Sequence, residues 1–172
     1  MLTLRILRDT DSLQELTGLL HRAYAELGTA GLNFTAVDQS PEVTAQRIAG
    51  GTCFLAHWGE TLVGTVLAKP AEPGSACRYF RQPGVATLRQ FAVDPGHRGK
   101  GVGLRLIEAC EQWARDAGFE EIALDTARPA QHLISLYTRL GYQIVDTVQW
   151  EGKTYESVVM RKQLGHGWRS GH

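Results

Sequence analysis

Leu2, Leu4 and Ile6 alternate with Thr3, Arg5 and Leu7, the two-residue period of a short strand. The period then lengthens: Leu13, Leu16, Leu20 and Tyr24 recur at helical spacing behind Asp9 or Asp11 as the capping residue. Residues 28–40 mix few apolar positions into a loop long enough to act as a lid. Ser40-Pro41 then reads as an N-cap with proline at the first helical position, opening a helix to Ala49. Two apolar runs, Thr52 to Trp58 and Thr61 to Lys69, flank Gly59-Glu60 as a hairpin. Residues 70–84 carry prolines and glycines around Arg78-Tyr79-Phe80-Arg81 and form a loop, and Val85 to Val93 is again a strand.

The second half repeats the alternation of periods. Val102, Leu106, Cys110, Trp113 and Ala117 make one apolar face of a helix over Leu104 to Ala117, stopped by Gly118. A strand over Glu120 to Thr126 and a helix over Gln131 to Leu140, stopped by Gly141, come next. Tyr142 to Trp150 and Thr154 to Gln163 form a last strand pair around Glu151-Gly152. The order β-α-α-β-β-β-α-β-α-β-β mixes strands and helices without strict alternation. It predicts an α+β fold with a mixed sheet, a single domain over residues 1–164 and a flexible tail over 165–172.

Composition narrows the function classes. Lys plus Arg and Asp plus Glu both total 18, so the net charge is zero and no nucleic-acid partner is expected. Three scattered cysteines without a C-x-x-C pair predict reduced intracellular thiols, and the six histidines show no metal-ligand spacing, so no metal is expected. The first residues lack the apolar core of a signal peptide, and no apolar run reaches the ~18 residues of a membrane span. The expectation is a cytosolic protein without a membrane partner. Monomer and homodimer both remain open.

The chemistry concentrates in Leu88 to Gly103, LRQFAVDPGHRGKGVG. A strand runs into Asp94-Pro95, and Gly99, Gly101 and Gly103 lead into the clearest helix. Uncovered N–H groups and the helix dipole at such a helix start suit a phosphate, with Arg98 and Lys100 adding positive charge. A Walker A loop fails because Lys100 is followed by Gly101. A dinucleotide fingerprint lacks its third glycine, since Leu104, Arg105 and Leu106 follow Gly103, although Asp125 lies near the distance of a ribose-binding acid.

Arg98-Gly99-Lys100-Gly101-Val102-Gly103 matches [QR]-x-x-G-x-[GA], and His132 to Tyr142, HLISLYTRLGY, is similar to A-x-x-L-Y-x-x-L-G-[FY]. In these two blocks and in element order the chain resembles the GNAT N-acetyltransferases. The resemblance implies acetyl-CoA as co-substrate and a primary amine, on a small molecule or a peptide N-terminus, as acceptor. It implies that Phe91, Ala92 and Val93 pair their backbone with the pantetheine arm, and that Arg98, Gly99, Lys100, Gly101, Val102, Gly103 and Leu104 hold the pyrophosphate. Tyr137 falls at the family's tyrosine, whose phenol, pKa ~10, can donate to the departing thiolate. The alternative for Tyr137 is packing beside Leu133, Leu136 and Leu140.

Asp125 matches a glutamate that some N-terminal acetyltransferases use as a base, and its alternative is a helix cap at a strand end. His97, His132 and Glu72 are further candidates for the base. Where many relatives have an asparagine seven residues before the tyrosine, this chain has Ala130, so one cofactor contact is absent or supplied elsewhere. Cys53 and Cys110 sit on apolar patterns, which argues against an acyl-cysteine intermediate. Direct attack in a ternary complex with Asp125 and Tyr137 paired beside the thioester is the implied mechanism. A non-catalytic acyl-CoA sensor on the same fold is the competing function. The acceptor is to be shaped by residues 28–40, 70–84 and 141–163.

Overall fold

The structure, a computed structural model, describes residues 1–165. The expected flexible tail over 165–172 therefore lies, after its first residue, outside the described residues. Two compact units divide the chain: Met1–Lys69 with Leu88–Cys110, and Pro70–Thr87 with the residues from Glu111 onward.

In the first unit, β1 (Leu2–Ile6) pairs antiparallel with β2 (Thr52–Trp58), and β2 with β3 (Thr61–Lys69) across Gly59-Glu60. β4 (Val85–Val93) brings its last six residues to this unit. The cap of α1 (Leu13–Thr29) is Ser12, whose Oγ accepts from the Glu15 N–H at 3.1 Å, rather than Asp9 or Asp11. Asp11 is engaged elsewhere: its carboxylate accepts from both Arg5 Nη atoms at 2.7 Å and from the Arg8 N–H at 2.6 Å. A forked, doubly charged pair outweighs a single capping bond.

Helix α1 also runs past the loop boundary read at Gly28. A Cβ on Gly28 would lie 2.7 Å from Val37 Cγ1, so this glycine is kept for close packing and does not stop the helix. Leu16 and Leu19 of α1 bury with Cys53, Leu55, Leu62 and Leu67 of the sheet. Each such leucine contributes roughly 1.5–3 kcal/mol. α2 (Pro41–Ile48) has the expected start, with Ser40 Oγ accepting from the Val43 N–H at 3.2 Å.

In the second unit, Val85, Ala86 and Thr87 of β4 lie parallel to Glu121, Ile122 and Ala123 of β5 (Glu121–Ala127), and no further residue pair continues that register. β5 pairs antiparallel with β7 (Ser157–Gln163), and β7 with β6 (Gln143–Val148). The strand pair expected to turn at Glu151-Gly152 opens earlier. β6 ends at Val148 because Gln149 Nε2 donates to the carbonyls of Trp150, Lys153 and Tyr155, at 3.3, 3.3 and 3.0 Å, curling residues 149–156 into a loop.

α4 (Gln131–Arg139) follows β5, and α3 (Val102–Asp116) begins two residues before its expected start. Through β4 the strand order is β1-β2-β3-β4-β5-β7-β6, a seven-stranded mixed sheet with four α-helices among the described residues. The α+β class is as expected.

Candidate functional site

The residues expected to meet the acyl donor belong to the first unit. Gln90 has φ 50°, the one non-glycine residue in the left-handed region among the described residues. After it, β4 side chains alternate. Ala92 packs with Leu20 and Ala36, whereas Phe91 and Val93 face Gly103, whose added Cβ would stand 2.9 Å from Phe91 Cζ. Gly103 is thus a packing glycine that lets α3 approach the strand, a role the motif does not reveal.

Beyond Val93 the chain is pinned and then released. The Asp94 N–H donates to the Val63 carbonyl at 2.7 Å. The Asp94 carboxylate lies 3.0 Å from His97 Nδ1 and 3.1 Å from Arg22 Nε. Those partners, His97 first, hold its carboxyl below the usual range against the opposing effect of burial. Gly99 and Gly101 follow at φ 78° and 80°, with nothing within 4 Å of an added Cβ, so their left-handed backbone is the reason for glycine. The first helical bond of α3 runs from the Arg105 N–H to the Gly101 carbonyl at 3.2 Å. The N–H groups of Val102, Gly103 and Leu104 precede it and have no acceptor within the helix. Groups of this kind at a helix start suit an anion.

The two nearby cations have partners of their own. Arg98 Nη2 donates to the Ala23 carbonyl at 3.0 Å, and Lys100 Nζ sits 5.1 Å over the Trp58 ring. These side chains are held by α1 and the hairpin, which leaves the main-chain N–H groups as the ones presented at the turn.

Tyr137 and Asp125 belong to the second unit. Tyr137 is 6% exposed, with its ring edge-on to Tyr142 at 6.1 Å. The Tyr142 hydroxyl donates to Glu111 at 2.8 Å, and Lys162 Nζ bonds the same carboxylate at 3.1 Å. Lys162 stands opposite Ile122 in the β5–β7 register and shares its face. Asp125, three residues beyond Ile122, projects from the other face. Its Oδ2 accepts from Trp150 Nε1 at 2.7 Å, and Trp150 stacks on Phe80 at 6.4 Å.

Two expectations change. Asp125 is interior to β5 and is not a cap: the residue capping α4 is Ala130, which makes no side-chain bond. And strand alternation sets Asp125 and Tyr137 on opposite faces of the sheet in this unit, so they are not a side-by-side pair. The Trp150 partner was missed because 25 residues separate it from Asp125 and no periodicity links them.

The Asp125 face carries further polar anchors. Arg78 donates to both oxygens of Asp146 at 2.8 and 3.0 Å, and the Tyr79 hydroxyl donates to Glu121. Burial first, and that bond second, push the Tyr79 phenol up to about 12. These two residues tie the segment between β3 and β4 to the sheet. Of the other bases considered, His97 is bonded to Asp94 and His132 is exposed on α4. Cys53, Cys77 and Cys110 are buried, and burial pushes the thiols of Cys53 and Cys77 up, away from the reactive thiolate. Among the described residues no His, Cys, Asp or Glu group of three could hold a metal, and no helix is long and apolar enough to cross a membrane.

Residues 18–142 match the model of the acetyltransferase (GNAT) family. An S-(2-succino)cysteine N-acetyltransferase of Bacillus subtilis (strain 168) is 28% identical over 172 residues, covering 95% of each chain. The ribosomal-protein-S18-alanine N-acetyltransferase of Escherichia coli superposes with a TM-score of 0.73 at 18% identity, over 99% of this chain and 98% of that one. A GNAT family acetyltransferase from Elizabethkingia anophelis, solved with acetyl-CoA bound, gives 0.68 at 15% identity, over 94% and 97%.

Proposed function

The chain belongs to the acetyltransferase (GNAT) family, and from that premise we propose that this acyltransferase moves the acetyl group of acetyl-CoA to a primary amine by direct attack in a ternary complex. The observation that carries the proposal is the turn at Gly99 and Gly101. It is left-handed for backbone reasons, empty of side chains, and delivers the chain into α3 with the N–H groups of Val102, Gly103 and Leu104 presented. That arrangement fits a pyrophosphate. The relative from Elizabethkingia anophelis with bound acetyl-CoA supports the same ligand.

In the proposed reaction the pantetheine arm lies along Phe91 to Val93 as an added strand, and a main-chain N–H there polarises the thioester carbonyl. The amine nitrogen attacks the carbonyl carbon, forming C–N as C–S breaks. Asp125, on the other face of the sheet from Tyr137, takes the amine proton through water. Tyr137 donates a proton to the departing sulfur, which leaves as the thiol.

For the acceptor, the Bacillus subtilis relative points first to the α-amine of an S-substituted cysteine. Thiol release from acetyl-CoA, measured against a panel of S-substituted cysteines, other amino acids, polyamines, aminoglycosides and peptide N-termini, tests the proposal. Turnover with one class of amine is the expected result. Tight acetyl-CoA binding without turnover on any of them would point instead to a sensor.

A further inference from the structure

Four polar side chains of the first unit are buried together. Thr17 is 3% exposed, Gln39 4%, Thr44 0% and Gln90 6%. Gln39 is the hub. Its Nε2 donates to Thr44 Oγ1 at 2.7 Å and to Gln90 Oε1 at 2.8 Å, and its Oε1 accepts from Arg47 Nη1 at 2.8 Å. Thr44 Oγ1 lies 2.7 Å from Thr17 Oγ1, and His21 Nε2 is 2.7 Å from the Gln39 main-chain oxygen. With both amide protons and the amide oxygen engaged, the Gln39 side chain has one orientation. A buried network satisfied this fully is rigid, because every alternative leaves a donor or acceptor unmet at about 1–3 kcal/mol.

The partner this hub holds is the strained residue. A left-handed non-glycine residue costs about 1–2 kcal/mol and persists only where its surroundings over-determine it. Gln90 lies immediately before Phe91, Ala92 and Val93, so its backbone angles set the direction in which their N–H and C=O groups point. Residues 30–40 are tied to the same stretch a second time: the Tyr24 hydroxyl donates to the Phe91 carbonyl at 2.7 Å, and the Tyr24 ring packs 5.6 Å from Phe34.

We propose that Gln39 is a positioning residue for acyl transfer, a latch that holds Gln90 left-handed and so aims the Phe91–Val93 main chain at the acyl donor. Because Gln39 belongs to the loop before α2, the latch also couples the order of that loop to the donor strand. The proposal rests on the reading of Phe91–Val93 as the donor strand.

Three variants separate the latch from simple packing. Gln39→Met and Gln90→Met keep length and volume while removing the bond from either end. Gln90→Gly leaves a gap but relieves the left-handed penalty, so the strand no longer needs the latch. The measurements are thiol release at saturating acetyl-CoA with the amine found above, acetyl-CoA binding by calorimetry, Tm, and hydrogen exchange at the Phe91–Val93 amides.

Both Met variants should lose ~10-fold in kcat, keep the acetyl-CoA Kd within ~3-fold and exchange faster at those amides. Gln90→Gly should keep kcat within ~3-fold of the wild type while showing the largest fall in Tm. A packing role predicts the reverse order for turnover. Loss of turnover in Gln90→Gly equal to that in Gln90→Met, or unchanged exchange in both Met variants, overturns the latch. Should Gln39→Met not fold, Gln90→Met against Gln90→Gly makes the same distinction. Failure of the wild type to bind acetyl-CoA sinks the donor-strand reading and with it the role of Gln39 in acyl transfer, whereas exchange at the Phe91–Val93 amides decides separately whether Gln39 fixes that strand.

Discussion

The turn before α3 and the sheet face around Asp125 are built from different materials. At Gly99–Gly101 the groups proposed to act are main-chain N–H, and the side chains of Arg98 and Lys100 are bonded to the Ala23 carbonyl and set over Trp58. Around Asp125 the polar groups are side chains, each oriented by another: Trp150 on Asp125, Tyr79 on Glu121, Arg78 on Asp146. A main-chain site tolerates most side-chain changes but no change at its glycines. A side-chain site degrades in steps, one partner at a time.

The sharpest way to break the contrast is Gly101→Glu. It adds a carboxylate beside the proposed pyrophosphate and a side chain to a backbone at φ 80°. Acetyl-CoA affinity should fall by ~10³, the cost of a like-charge contact of about 4 kcal/mol, as read by calorimetry on folded protein. Unchanged affinity removes the turn from the site. Gly103→Glu is a poorer probe, because its side chain would strike Phe91 and disturb packing first.

Tyr137→Phe keeps the ring against Tyr142 and removes only the hydroxyl. It should lower kcat by ~10² with little change in acetyl-CoA affinity. A variant with wild-type kcat at every pH makes Tyr137 a packing residue.

On the Asp125 face the effects should be graded. Asp125→Asn should reduce kcat/KM by ~10-fold near pH 6, where little free amine exists, and by less above pH 8. Trp150→Phe retains the stacking on Phe80 and loses the donor to Asp125, so a smaller loss of ~3-fold is expected. Equal losses in the two variants at all pH values would mean that both act through the fold.

The smallest effect sharpens the comparison from the main-chain side. His97 and Arg22 lower the Asp94 carboxyl pKa, so its stabilisation is fully present above the ordinary carboxylate value of about 4 and is lost as pH falls through the depressed one. Arg22 is half exposed, which limits the contribution to about 1 kcal/mol. Asp94→Asn should lower Tm by ~2–4 °C at pH 7, and the difference should shrink below about pH 4.

Much of this was legible in the chain of residues alone. The period changes from two to 3.6 and back place every strand and α-helix, and Ser40-Pro41 marks the start of α2 to the residue. The glycine loop is readable because left-handed backbone admits few other residues, so geometry leaves a mark on residue type. Where local chemistry had competitors, the reading slipped. Asp11 has the right type for a cap, but Arg5 claims it, and Gly28 has the right type for a stop, but Val37 requires it inside the helix.

What the sequence determined by itself was the succession of elements and the main-chain turn, since both depend on short-range preferences of the backbone. Only the tertiary structure decided which side chains meet. The face of Asp125 depends on the β5–β7 register, its partner Trp150 arrives from 25 residues away, and Gln39 finds Gln90 across 51. Such pairings follow from the packing of the whole sheet. Asn, Gln, Asp and Trp are common in many settings, and nothing in their local spacing says which distant partner they will hold.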